Sequence, residues 1–176
     1  VQRFGVHEWN PERFRVLAAM RQQSLEATVP LGCDYYFVVD VDNFLRPATL
    51  RELVALRLPI VAPLLHHEQA GHRYSNYHFK ADRRGYYLDC PEYDYVLTGK
   101  IRGVIEVDVV HCTYLVRADV IDRLSYIDAS GRHEYVVFSE SARLSGVPQY
   151  LDNRQVYGYL SLTESSERAA GYLEAE

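Results

Sequence analysis

Apolar positions along the chain follow two rhythms, and each predicts a different element. Phe14, Leu17, Ala18 and Leu25, with Arg21 in the same register, recur at three- and four-residue steps and predict an amphipathic helix running to about Ala27. Asn10-Pro11-Glu12 supplies its start: Asn caps, Pro fits the first helical position, and Glu favours the positive end of the dipole. Pro30-Leu31-Gly32 reads as the turn that follows. Tyr35 to Val39 is an unbroken apolar run of aromatic and β-branched side chains, which suits a strand buried on both faces of a parallel sheet. Pro47 then opens a second helix with Leu50, Leu53, Val54 and Leu56 as its stripe, and Pro59 to Leu65 is a short strand. Strand, helix and strand in that order predict a right-handed βαβ crossover.

Further along, Tyr74 to Phe79 and Tyr86 to Leu88 flank Asp82-Arg83-Arg84-Gly85 and predict a β-hairpin insertion. His66, His67 and His72 lack helical metal-ligand spacing and read as a solvated loop. Tyr93 to Thr98 continues the tyrosine-rich character. Arg102-Gly103 precedes a second strong strand, Val107 to Val116, which carries His111, Cys112 and Thr113 inside it. Arg117 to Leu124 is a short helix. His133-Glu134 opens another, with Val136, Val137, Ala142 and Leu144 apolar and Gly146 as its cap. Tyr150-Leu151 is a last strand, Tyr157 to Leu160 an apolar turn, and Thr163 to Glu176 a charged helical tail. Strands alternating with helices, without repeats or a long linker, predict one α/β domain over residues 1–176.

Composition narrows the function classes. At 176 residues and 48% hydrophobic, the chain has ample material for a core. A net charge of -5 argues against a general nucleic-acid binder, and no apolar stretch approaches the ~20 residues of a membrane span. Cys33, Cys90 and Cys112 are odd in number and widely spaced, which indicates neither a zinc site nor a disulfide framework. No signal peptide or N-x-[ST] sequon is visible; the compartment stays open, with the cytoplasm favoured and the ER lumen the alternative if a leader is missing.

The chemistry concentrates where the first strand ends. Asp40, Asp42 and Asn43 follow Tyr35 to Val39, at the carboxyl end of a strand, where open α/β sheets place ligands. Asp-Val-Asp offers hard oxygen donors to Mg²⁺ or Mn²⁺, with water and substrate phosphates completing the shell. A solvated acidic turn is the plain alternative. Arg21, near the helix face that packs on the sheet, could pair with a phosphate or simply snorkel at the flank. His111, polar within an apolar strand, needs a hydrogen-bond partner or a ligand.

Six blocks in order resemble the collagen β-galactosyltransferases of glycosyltransferase family 25, in their amino-terminal domain. They are D-Y-Y-F-V-V-D-V-D-N-F-L with P-A-T-L (Asp34 to Leu50), I-V-A-P-L-L (Ile60 to Leu65), Y-S-N-Y (Tyr74 to Tyr77), G-Y-Y (Gly85 to Tyr87), R-G-V-I-E-V-D-V-V-H-C-T-Y-L-V (Arg102 to Val116) and N-R-Q-V-Y-G-Y-L (Asn153 to Leu160). Trp9 and M-R-Q-Q-S-L (Met20 to Leu25) match in character and spacing. The resemblance implies a GT-A-type, Rossmann-like α/β fold with a mixed, mainly parallel sheet, a UDP-galactose or UDP-glucose donor, a protein or glycan acceptor, and Mn²⁺ or Mg²⁺. It implies Asp42 as direct metal ligand, Asp40 on the metal, its water or the ribose, Asn43 orienting the turn, and His111 as a third contact. Asn76, Tyr74 and Tyr77 would meet the sugar, and Arg21 and Arg102 the donor. Glu134 would act as base in an inverting transfer, although His133 replaces an acidic residue of the family. The family's strands before Trp9, which build part of the uridine pocket, are expected to be missing.

Two other readings are weighed against this one. A haloacid-dehalogenase-type phosphatase also places D-x-D after a strand, but here Phe44 stands where it wants Thr or Val, and Lys is confined to Lys80 and Lys100. A transferase-like domain that binds without turnover fits the His133 departure.

Overall fold

A computed structural model of the chain describes residues 9–69 and 71–161. In order, the elements are α1 (Pro11–Thr28), β1 (Tyr35–Val39), β2 (Asn43–Leu45), α2 (Thr49–Leu56), β3 (Ile60–Pro63), β4 (His66–His67), β5 (Tyr77–His78), β6 (Lys80–Ala81) and β7 (Tyr87–Leu88). There follow α3 (Pro91–Leu97), β8 (Val104–Val107), β9 (Val109–Val110), β10 (Thr113–Arg117), a 3₁₀ helix (Ala118–Arg123), α4 (Glu134–Leu144), β11 (Gln149–Asp152) and β12 (Gly158–Leu160). Asn10 caps α1 by accepting the Arg13 N–H at 2.9 Å.

The main sheet runs β1-β10-β3-β11-β8. Its strands follow the two-residue period, and the alternation sorts side chains to two faces. Val38, Ile60, Ala62, Tyr114 and Val116 pack with Ala18 and Leu25 of α1 and Phe138 and Ala142 of α4. Val61 and Leu115 face the other way, onto Leu53 of α2, with Tyr35 and Phe37 beside them. Helices therefore cover both faces.

The sheet is mixed rather than mainly parallel. Among its described strands β3 and β11 pair in parallel, whereas β10 is antiparallel to both β1 and β3, and β8 is antiparallel to β11. The expected β1-α2-β3 unit runs in one direction, but β10 separates its two strands. β1 consequently lies at an edge of the described sheet, and apart from Val38 its residues are half-buried or exposed instead of sealed on both faces.

Other expectations shift in register. The strand expected over Val107 to Val116 is broken into β9 and β10 by a bend at Cys112, which has φ +62°. Tyr93 to Thr98 is the body of α3, and Cys90-Pro91-Glu92 repeats the Pro-Glu start signal of α1. The hairpin survives at its tip, where β6 pairs with β7 and Asp82 Oδ1 accepts the Arg84 and Tyr86 N–H groups. His66-His67 and Gly158 to Leu160, expected as loop and turn, form a small sheet with β2. Gly158 is required there: a Cβ would stand 2.1 Å from the Phe44 carbonyl oxygen. The expected helical tail from Thr163 lies outside the described residues.

Candidate active site

The acidic turn is held by its neighbour strand through the main chain. The Asp40 N–H donates to the Cys112 carbonyl at 3.0 Å, and the Asn43 N–H closes the turn onto the Asp40 carbonyl at 3.0 Å. Asn43 Nδ2 reaches across to Thr113 Oγ1 at 2.7 Å, and the Asp42 carbonyl accepts the Ser161 N–H at 3.0 Å. The Cys112 carbonyl points at Asp40 because residues 111–113 form a γ-turn: the Thr113 N–H bonds the His111 carbonyl at 2.6 Å across the left-handed Cys112. A non-glycine residue in that conformation costs about 1 kcal/mol or more.

Side chains then gather two carboxylates around one cation. Arg21, from the face of α1 that packs on β1, donates from Nη2 to Asp40 Oδ1 at 2.6 Å, and its Nε lies 3.5 Å from Glu134 Oε1. Burial opposes the Arg21 charge, but Tyr114, Asp40, Tyr126 and Glu134 outweigh it and hold the guanidinium above the ordinary arginine range. Glu134 begins α4, is 5% exposed, and among the described residues its Oε2 has no hydrogen-bond partner. Burial raises the Glu134 pKa, and Arg21 only partly reverses that shift. Asp42 faces solvent beside this group; partial desolvation and the nearby Asp40 charge push its carboxyl upward as well. Two carboxylates at one turn, with the charge of Asp40 raising the proton affinity of Asp42, suit a cation.

An aromatic and thiol layer lies behind the turn. His111 Nδ1 is 2.9 Å from Cys112 Sγ, and its ring lies against those of Tyr135, His78 and Tyr74 at 5.0, 5.3 and 5.9 Å. Burial, with His78, Arg21 and His133 adding to it, holds the His111 imidazole well below its ordinary range, so it is neutral. Tyr74 remains 41% exposed beside this layer, its ring tilted against that of His111. His133 packs its ring on Phe14 at 3.8 Å, just before Glu134.

Three of the expected site residues are used elsewhere. Asn76 is fully buried: Oδ1 accepts the Leu65 N–H at 2.9 Å, while Nδ2 donates to the Pro63 carbonyl at 2.8 Å and the Thr113 carbonyl at 3.3 Å. It is a strut between β3 and β10 with nothing left for a sugar. Asn76→Ala should therefore lower stability by about 2–4 kcal/mol through stranded buried groups. A urea midpoint unmoved by the change would refute that role. Tyr77 is likewise a core residue, stacked on Tyr93 at 4.7 Å with its hydroxyl on the Tyr93 carbonyl. Arg102 donates to the Arg154 carbonyl and precedes β8, at the opposite edge of the sheet from β1. Four strand spacings, about 19 Å, separate those edges. Arg102 lines a cavity of about 280 Å³ with His66, Thr98 and Asn153, and neither this nor a cavity of about 350 Å³ around His67 is lined by Asp40, Asp42 or Glu134.

His111 does not complete a metal cage. Among the described residues, no three His, Cys, Asp or Glu side chains stand together as a ligating set. The two carboxylates of Asp40 and Asp42 would fit a hard divalent cation only with water and phosphate oxygens completing its shell. What the residue-by-residue reading missed is the γ-turn: Cys112 and Thr113 shape the acidic turn through a carbonyl and a hydroxyl, and no local signal marks either role.

The comparisons with known proteins converge on one family. The model of the glycosyltransferase family 25 N-terminal domain matches residues 1–171. Procollagen galactosyltransferase 2 of Homo sapiens is 34% identical over 166 residues, covering 90% of this chain and 26% of that protein. The Mus musculus protein of the same name is 32% identical over the same shares. Inactive glycosyltransferase 25 family member 3 of Homo sapiens is 30% identical over 172 residues, 93% of this chain and 28% of that protein. The chain thus spans about a quarter of the length of these relatives. Among solved structures, A197 from STIV overlays with a TM-score of 0.49 at 12% identity, across 77% of this chain and 62% of that one, a likeness too slight to assign a fold. On the family match, which takes in nearly every residue from Val1 onward, this chain belongs to glycosyltransferase family 25 as its N-terminal domain.

Proposed function

We propose that this domain transfers a hexose, galactose or glucose, from a UDP-sugar to a hydroxyl of a protein or glycan acceptor, with inversion. The observation that carries this reading is the joining of the acidic turn to Glu134 through Arg21. It puts candidate donor-side and acceptor-side carboxylates on one guanidinium. Asp42 and Asp40 would hold Mn²⁺ or Mg²⁺. When bound, that ion neutralises the charge that develops on the leaving diphosphate. Asn43 and the Cys112 carbonyl keep the two carboxylates on one turn. Tyr74, partly exposed beside His111, would meet the pyranose. Glu134, with its free Oε2, accepts the proton of the attacking hydroxyl.

The test is a melting-temperature screen of the chain with UDP, UDP-galactose, UDP-glucose and GDP-mannose, each with and without Mn²⁺. At a hundredfold excess over Kd the true donor should add about 2.7 kcal/mol, or about 5–10 °C, and only with the metal. A shift with GDP-mannose alone, or one indifferent to Mn²⁺, would overturn the donor assignment. A second reading, binding without turnover, draws on the relatives named as inactive and on His133 beside Glu134. It predicts the same shift with no hydrolysis or transfer.

A further inference from the structure

Arg21 is placed to do more than neutralise. Among the described residues it is the sole ion-pair partner of both Asp40 and Glu134, and it serves them unequally. Asp40 receives a short charge-assisted hydrogen bond at 2.6 Å, whereas Glu134 is met only at 3.5 Å, beyond hydrogen-bond reach. The second oxygen of Glu134 is buried without a partner among the described residues, although a guanidinium fork could satisfy both carboxylate oxygens at once. Arg21 itself is 17% exposed, so its charge is little screened by water. Its helix is fixed on two sides: Gln22 Oε1 accepts the Tyr126 N–H at 2.8 Å, and the Tyr36 hydroxyl donates to the Arg21 carbonyl at 3.4 Å. The guanidinium can therefore change partners without moving its backbone.

We propose that Arg21 is a positioning residue that competes with a divalent cation for Asp40 and, on yielding it, closes its fork on Glu134. A doubly charged ion at Asp40 attracts that carboxylate more strongly than a guanidinium does and repels the guanidinium in turn. The released donors have a partner waiting on α4. Loading of the donor-side turn is thereby coupled to the orientation of the candidate base. Such coupling acts in both directions: while Arg21 is there to compete, whatever tightens it on Glu134 must favour the cation, and whatever weakens that pair must oppose it. This inference rests on the reading that Asp40 and Asp42 bind a divalent cation.

The test is Mn²⁺ binding to the chain by calorimetry, with Mn²⁺ alone as the probe and no turnover required. Arg21→Met should bind Mn²⁺ about fivefold or more tighter than the parent, because the competitor is gone. Glu134→Gln should bind it more weakly by a comparable factor, because Arg21 then has only Asp40 to hold. In the Arg21→Met background the Glu134→Gln effect should vanish, the signature of a shared partner in a double-mutant cycle. A purely structural arginine predicts looser binding in both single variants and independent effects in the pair, and that result overturns the inference. Should Arg21→Met fail to fold, Arg21→Lys keeps the charge but loses the fork, and the Glu134→Gln penalty should shrink in that background; an undiminished penalty overturns the inference. If the parent chain binds no Mn²⁺, the cation reading falls and this inference with it. If the parent binds and Glu134→Gln leaves the affinity unchanged, the coupling alone falls.

Discussion

Asp42→Ala is expected to abolish Mn²⁺-dependent release of UDP from UDP-galactose, with a loss of at least about 10²–10³-fold in rate. Neutralising the developing diphosphate charge is worth several kcal/mol of transition-state stabilisation, and each 1.36 kcal/mol is a factor of ten. Among the described residues, Asp42 is the carboxylate of the pair that faces solvent and carries no ion pair. Its structural contribution runs through its carbonyl to the Ser161 N–H, which an alanine keeps. Melting temperature should accordingly stay close to that of the parent, since the side chain is exposed and removing it also relieves its repulsion with Asp40. Retention of metal-dependent release by a folded Asp42→Ala protein would remove the cation site from the turn.

Glu134→Gln is expected to lower transfer by about 10²–10⁴-fold, the range of a positioned general base. The amide is isosteric, so helix α4 and its buried neighbours should remain in place. The pH dependence gives a second readout. Burial raises the Glu134 pKa above its ordinary 4.5, so the base is ionised, and the rate rises, only above that value. The linked effect on stability has the opposite sign. Between the unfolded pKa and the raised folded one, the native state holds more protons than the unfolded chain, so the contribution of this group is full below that window and is lost as pH climbs through it. Activity is thus gained where stability is given up. In Glu134→Gln both slopes should flatten; an acid limb that persists unchanged would assign it to another group.

Much of this could be read in the residues themselves, and the exceptions share a cause. α1, α2 and α4 were legible because caps, prolines and three-to-four periodicity are local signals. The placement of D-V-D-N at a strand end was legible for the same reason. Strand order was not: a run such as Tyr35 to Val39 records how apolar its surroundings are, not which strand lies alongside. The antiparallel insertion of β10 between β1 and β3 therefore stayed hidden. Asn76 and Arg102 were assigned to the donor because polar side chains in matching blocks look available. Asn76 is consumed by main-chain partners of two strands, and Arg102 lies across the sheet. Arg21, open on sequence grounds between a phosphate partner and a flank arginine and placed on the donor by the resemblance, instead pairs with Asp40 and Glu134.

The pairing of β1 with β10 also fixes when the site can come into being. Asn43 and Thr113 are 70 residues apart, and the γ-turn carbonyl that seats Asp40 belongs to the same distant segment. Contacts of such separation pay their loop-closure entropy before they return any stability, so they form late. A nascent chain released before Thr113 would carry every letter of D-V-D-N and its local turn, but not the carbonyl and hydroxyl that anchor that turn from the far half of the sequence.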